Sequence, residues 1–81
     1  MVSFSFMFNT IDVVKEFTNI VGAFDCIVDV RSDRYIVDGK SIMGLLSLDL
    51  SKSVIIHING PEAEDAYVAL IKEFPDKYQE L

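Results

Sequence analysis

Residues 2–8 alternate along the chain. Val2, Phe4, Phe6 and Phe8 fall on one side, and Ser3, Ser5 and Met7 on the other. A period of two marks a half-buried strand. Asn9 can then cap a helix, with Asp12 three residues on as an imperfect capping-box partner. Val13, Val14, Phe17, Ile20 and Val21 recur at spacings of three and four, which gives one apolar helical stripe. Gly22 reads as the residue that stops it.

Alternation resumes beyond the glycine. Phe24, Cys26, Val28 and Val30 interleave with Asp25, Ile27 and Asp29, a second strand. Ser32-Asp33 signals a turn, and RYIVD at 34–38 a third strand, so strands two and three form a hairpin. Asp38-Gly39 breaks the pattern. GKSIMGLLSLDL, residues 39–50, then predicts a short helix capped near Ser41. Val54, Ile56 and Ile58 alternate with Ile55 and His57, a fourth strand ended by Asn59-Gly60. Pro61 at a first helical position, with Glu62, Glu64 and Asp65 in the first turn, starts the last helix as its dipole prefers. Its apolar face is Ala63, Ala66, Tyr67, Leu70, Ile71 and Phe74, and Pro75 ends or kinks it.

The order is β-α-β-β-α-β-α. Two crossover helices and a hairpin predict an α+β fold: a four-stranded antiparallel sheet with three helices on one face, an open-faced sandwich. At 81 residues the whole chain is one domain. Ile27, Ile36 and Ile55 interrupt the polar positions of the uncovered face, so that face should be partly apolar.

Charge narrows the function. Seven basic and thirteen acidic residues give a net charge of −6. Nucleic acid demands a basic face, and an anionic membrane surface attracts one, so both are disfavoured as partners. The acidity is uneven: residues 61–81 hold six acids and two bases, and residues 1–60 hold seven and five. The acidic tail reads as a solvated helix face. The lone Cys26 suits a reducing cytosol and, within an alternating strand, reads as a buried structural thiol. The opening MVSFSFMFNT has neither the basic region nor the long apolar run of a signal peptide. No segment approaches the ~20 apolar residues of a membrane span.

Catalytic chemistry has little to stand on. The chain has no phosphate-cradling glycine loop, no cysteine–histidine metal cluster and no nucleophile elbow. No cofactor or metal is therefore expected, and no enzymatic activity. His57, the only histidine, alternates with core residues and should lie on the open sheet face. Asp25, Asp29, Asp33 and Asp38 read as solvated strand and turn positions. The short helix differs. At about 100° per residue, Leu45 and Leu48 share one side of it, and Ile42, Met43 and Leu46 share another. The second set can be an exposed contact patch. Periodicity leaves burial of both sets equally open. Ser41 at the helix start is an N-cap, and a phosphate there would meet free N–H groups at the positive dipole end.

Lys40-Ser41-Ile42-Met43-Gly44-Leu45-Leu46-Ser47-Leu48 resembles the KSIMG-x-x-SL segment of HPr, the histidine-containing phosphocarrier of the bacterial sugar phosphotransferase system. The resemblance covers nearly the whole chain and implies the open-faced sandwich inferred above. It implies a regulatory phosphorylation site at Ser41, modified from ATP by HPr kinase/phosphorylase as in Gram-positive bacteria. It implies partner contacts for Ile42, Met43 and Leu46, and a catabolite-control transcription factor among the partners.

One departure changes the expected chemistry. The family's carrier histidine lies in a G-[IL]-H-[AT]-R-P signature at the start of the first helix. The matching stretch here is Phe8-Asn9-Thr10-Ile11-Asp12-Val13. Thr10 stands at the histidine position and Asp12 at that of the phosphate-neutralising arginine. A threonine phosphate is a stable ester, and a nearby carboxylate repels it. The chain is thus expected to lack carrier activity, similar to the catabolite-repression HPr homologue. Two alternatives differ in class: an HPr-fold interaction or small-ligand domain unrelated to sugar transport, and a carrier using another residue.

Overall fold

The computed structural model describes residues 1–33 and 35–81. Arg34, with which the predicted third strand opens, lies outside them. The order is β1 (Val2–Phe6), α1 (Ile11–Gly22), β2 (Ile27–Arg31), β3 (Ile36–Asp38), α2 (Ile42–Leu46), β4 (Val54–Asn59), α3 (Ala63–Glu73) and β5 (Tyr78–Glu80). The strands form one sheet in the order β3-β2-β4-β1-β5, with every neighbouring pair antiparallel.

Register follows from the alternating side chains. Phe4 lies opposite Ile56, Val28 opposite Ile58, and Val30 opposite Ile56 on one side and Val37 on the other. A one-residue slip would turn all of them to solvent, so the buried face fixes the pairing. That face packs on the helices. Phe4, Phe6, Val28, Val30, Ile56 and Ile58 join Val14, Phe17, Val21, Leu45, Ala66 and Leu70 in one core. Phe8 lies beyond β1 but keeps its period. Its ring sits 5.0 Å from those of both Phe6 and Phe17, so the expected stripe of residues 2–8 is buried to its end.

The expected fold class holds, with a fifth strand added. Tyr78–Glu80 pairs with β1, Phe6 opposite Tyr78 and Phe4 opposite Glu80. Tyr78 also meets Tyr67 edge-on at 6.3 Å. β1 is therefore an inner strand. Other boundaries moved for local reasons. Asn9 adopts φ 67°, a left-handed conformation, so Thr10 is the N-cap of α1 in its place. Gly22 ends α1 inside the helix, and Ala23 caps it in a right-handed conformation. Pro61 and Glu62 form a turn before α3 rather than its first residues.

Gly60 makes that turn. At φ +124° a Cβ would lie 2.9 Å from Cys26 Cα, so only glycine fits. The close approach lets Glu62 clamp the start of β2: its amide donates to Asp25 O (3.1 Å), and its carboxylate accepts from the Asp25 amide (2.7 Å).

Candidate functional site

α2 is five residues long and two-sided. Leu45 is fully buried, and Leu48 just beyond the helix is buried too. Ile42, Met43 and Leu46 are 40, 79 and 38 % exposed. The apolar excess of residues 39–50 is thus divided between core and surface, the first of the two arrangements the periodicity allowed. Gly44 sits between the sets, where an added Cβ would come 3.4 Å from Ser41 Oγ and 3.5 Å from Val37 Cβ.

Ser41 caps this helix. Its backbone is extended, and Oγ accepts from the Gly44 amide at 3.1 Å. The residue is half-buried. The preceding turn is set by Asp38: Oδ1 accepts from the Lys40 amide (2.9 Å), and its carbonyl from the Ser41 amide (3.0 Å). The Lys40 side chain reaches away from the helix, and its ammonium donates to Phe24 O at 2.9 Å.

Thr10 stands at the other helix entrance. Its Oγ1 accepts from the Val13 amide at 3.3 Å, and Asp12 lies in the first turn, where the dipole favours it. Both residues are exposed. The Asn9 amide donates to Leu50 O at 2.9 Å, which ties the start of α1 to the segment after α2. Lys40 ties the start of α2 to the segment after α1. The two helices therefore run in opposite senses, with Thr10 and Ser41 at opposite ends of the pair. Ile11, two residues past the Leu50 junction, is 52 % exposed. Sequence reasoning did not single it out. The available signal was its place off the stripe of Val13, Val14, Phe17, Ile20 and Val21.

The remaining titratable groups are dispersed. His57 is half-buried on the open face, as expected, with Nδ1 2.7 Å from Ser3 Oγ across the β1–β4 ladder. Asp29 is its neighbour on β2. No three histidine, cysteine, aspartate or glutamate side chains come together to hold a metal among the described residues. Burial pushes the Cys26 thiol up, against the pull of Lys40, which keeps it in its unreactive neutral form. Ile27 and Ile36 are exposed on the open face. No helix is long and apolar enough to cross a membrane.

Fold and surface together define an antiparallel open-faced sandwich that presents a small apolar helix beside a capping serine. A family model described as the PTS HPr component phosphorylation site matches residues 12–75. The phosphocarrier protein HPr of Pseudomonas putida is 37 % identical over 68 residues, covering 76 % of each chain. The crystal structure of HPr-C-His from Thermoanaerobacter tengcongensis superposes with a TM-score of 0.78 at 25 % identity, over 89 % of each chain. The histidine-containing phosphocarrier protein of a Mycoplasma has the same fold, with a TM-score of 0.77 at 16 % identity over 93 % of each chain. The chain belongs to the HPr family of the phosphotransferase system. The family is one of phosphocarrier components, not of enzymes.

Proposed function

We propose that this HPr-family protein is a regulatory module that has lost phosphohistidine carriage. Ser41 is its switch, and Ile42, Met43 and Leu46 are its docking patch. The observation that carries the reading is the make-up of one short element: three exposed apolar side chains lie within the five residues after a capping serine. A phosphate on Ser41 adds nearly two negative charges to that border. The unmodified patch suits an apolar partner surface, and the modified one suits a partner that adds basic groups. The reaction transfers the γ-phosphoryl group of ATP to Ser41 Oγ, releasing ADP and the hydroxyl proton. HPr kinase/phosphorylase is the modifying partner and a catabolite-control transcription factor the responding one, both in the cytoplasm.

Thr10 and Asp12 support the loss of carriage. Thr10 Oγ1 is engaged as a helix cap, and a carboxylate follows two residues later. The test is incubation with ATP and the kinase, followed by mass spectrometry, with Ser41→Ala as control. One phosphate at Ser41 is expected, and none in the control. An unmodified Ser41 would sink the switch. Asp12 also favours a second reading, an HPr-fold interaction or small-ligand domain outside sugar transport. Capture from the native cell without any phosphotransferase component would support it.

A further inference from the structure

Lys40 precedes the proposed phosphorylation site, yet its charge is used elsewhere. α1 has no basic residue in its last turn. The chain leaves that helix through Ala23 and Phe24, whose amides donate back to Ile20 and Val21 carbonyls. The Phe24 carbonyl then accepts from Lys40 Nζ at 2.9 Å. The cation that suits the negative end of α1 is thus lent by the turn before α2. Its backbone is fixed by Asp38, but its ammonium is exposed and its acceptor is a neutral carbonyl.

A phosphoserine one residue away is a far stronger acceptor. Charge-assisted hydrogen bonds are about twice as strong as neutral ones, and a phosphate offers three oxygens. Of the charges beside the loop, the Glu62 carboxylate is committed to the Asp25 amide, and the acceptor of the Lys40 ammonium is the Phe24 carbonyl. We propose that Lys40 is a relay. Phosphate on Ser41 draws its ammonium from the Phe24 carbonyl, and the Ala23–Cys26 connection between α1 and β2 loosens. This deepens the proposed function and rests on Ser41 being the modified residue. It places a second readout of the switch at the C-terminal end of α1, away from Thr10.

The test uses the full chain made by chemical synthesis with phosphoserine at 41, so no kinase is involved. Its failure and that of the kinase assay are therefore read separately. The carbonyl 13C resonance of Phe24 and the amide exchange of Phe24, Asp25 and Cys26 are compared in four chains: unmodified, phosphorylated, Lys40→Met, and both changes together. Phosphate and Lys40→Met should each move the Phe24 carbonyl in the same direction. Each should speed exchange about three- to tenfold, the factor a hydrogen bond of ordinary net strength represents. Together they should do no more than the larger change alone. The relay is overturned if phosphate leaves the Ala23–Cys26 segment unaltered, or if its effect persists in the Lys40→Met chain.

Discussion

Truncating α2 on its two sides separates core from surface. Leu45→Ala removes three carbons from a fully buried side chain. At ~0.8 kcal/mol per buried methylene the transfer loss is about 2.4 kcal/mol. The cavity adds to it, so the expected cost lies within about 2–5 kcal/mol. An 81-residue domain at roughly 0.05–0.15 kcal/mol per residue has about 4–12 kcal/mol in all. Leu45→Ala therefore removes a large share of the stability. Met43→Ala shortens a longer side chain, but one mostly in water, and should stay within about 0.5 kcal/mol. Urea titration followed by far-ultraviolet circular dichroism gives both values, provided the slope is unchanged. Equal losses from the two substitutions would refute the division of the helix. So would a Met43→Ala loss above about 1 kcal/mol.

Further outcomes follow from the same contacts. Ser41→Ala should cost about 1 kcal/mol, because the Gly44 amide loses its cap, whereas Ser41→Asp keeps a good capping oxygen and should be near neutral in thermal melts. Gly60→Ala should cost more than about 1 kcal/mol, since φ +124° and the 2.9 Å approach to Cys26 Cα oppose any side chain; its denaturation midpoint checks this. The Ser51 hydroxyl and amide hold the Asp49 carboxyl below its usual range. A lowered folded-state value stabilises above the unfolded value and is lost as pH falls through the folded one. The stability gap between wild type and Asp49→Asn should thus be present at neutral pH and close below about pH 4. Thr10→His with Asp12→Arg should accept acid-labile phosphate from phosphoenolpyruvate and Enzyme I, as detected by native gel shift.

Much of this was legible because each signal is local. Val2 to Phe8 announced their strand by strict alternation, and the buried face obeys it through Phe8. The two sides of α2 were separable by angle alone. What decided between burial and exposure was that α1 and β3 pack on one side of α2 only, which one helix's periodicity does not contain. β5 was missed because Tyr78-Gln79-Glu80 is short and polar, and its strand character comes from β1, more than seventy residues away. The Ser3–His57 contact spans 54 positions. Lys40 to Phe24 is equally invisible as spacing. The shift of the first cap from Asn9 to Thr10 turned on one left-handed residue, which both asparagine and the pattern permit.

Which hydroxyl or ring this chain offers to phosphate separates a regulatory module from a carrier. The direct measurement presents the same protein with two donors in parallel: ATP with HPr kinase/phosphorylase, and phosphoenolpyruvate with Enzyme I. Bound phosphate is then mapped by mass spectrometry and assayed for acid stability. An acid-stable phosphate on Ser41 from ATP, with nothing transferred from phosphoenolpyruvate, is the predicted result. Acid-labile phosphate from phosphoenolpyruvate, with Ser41 left bare, would contradict it.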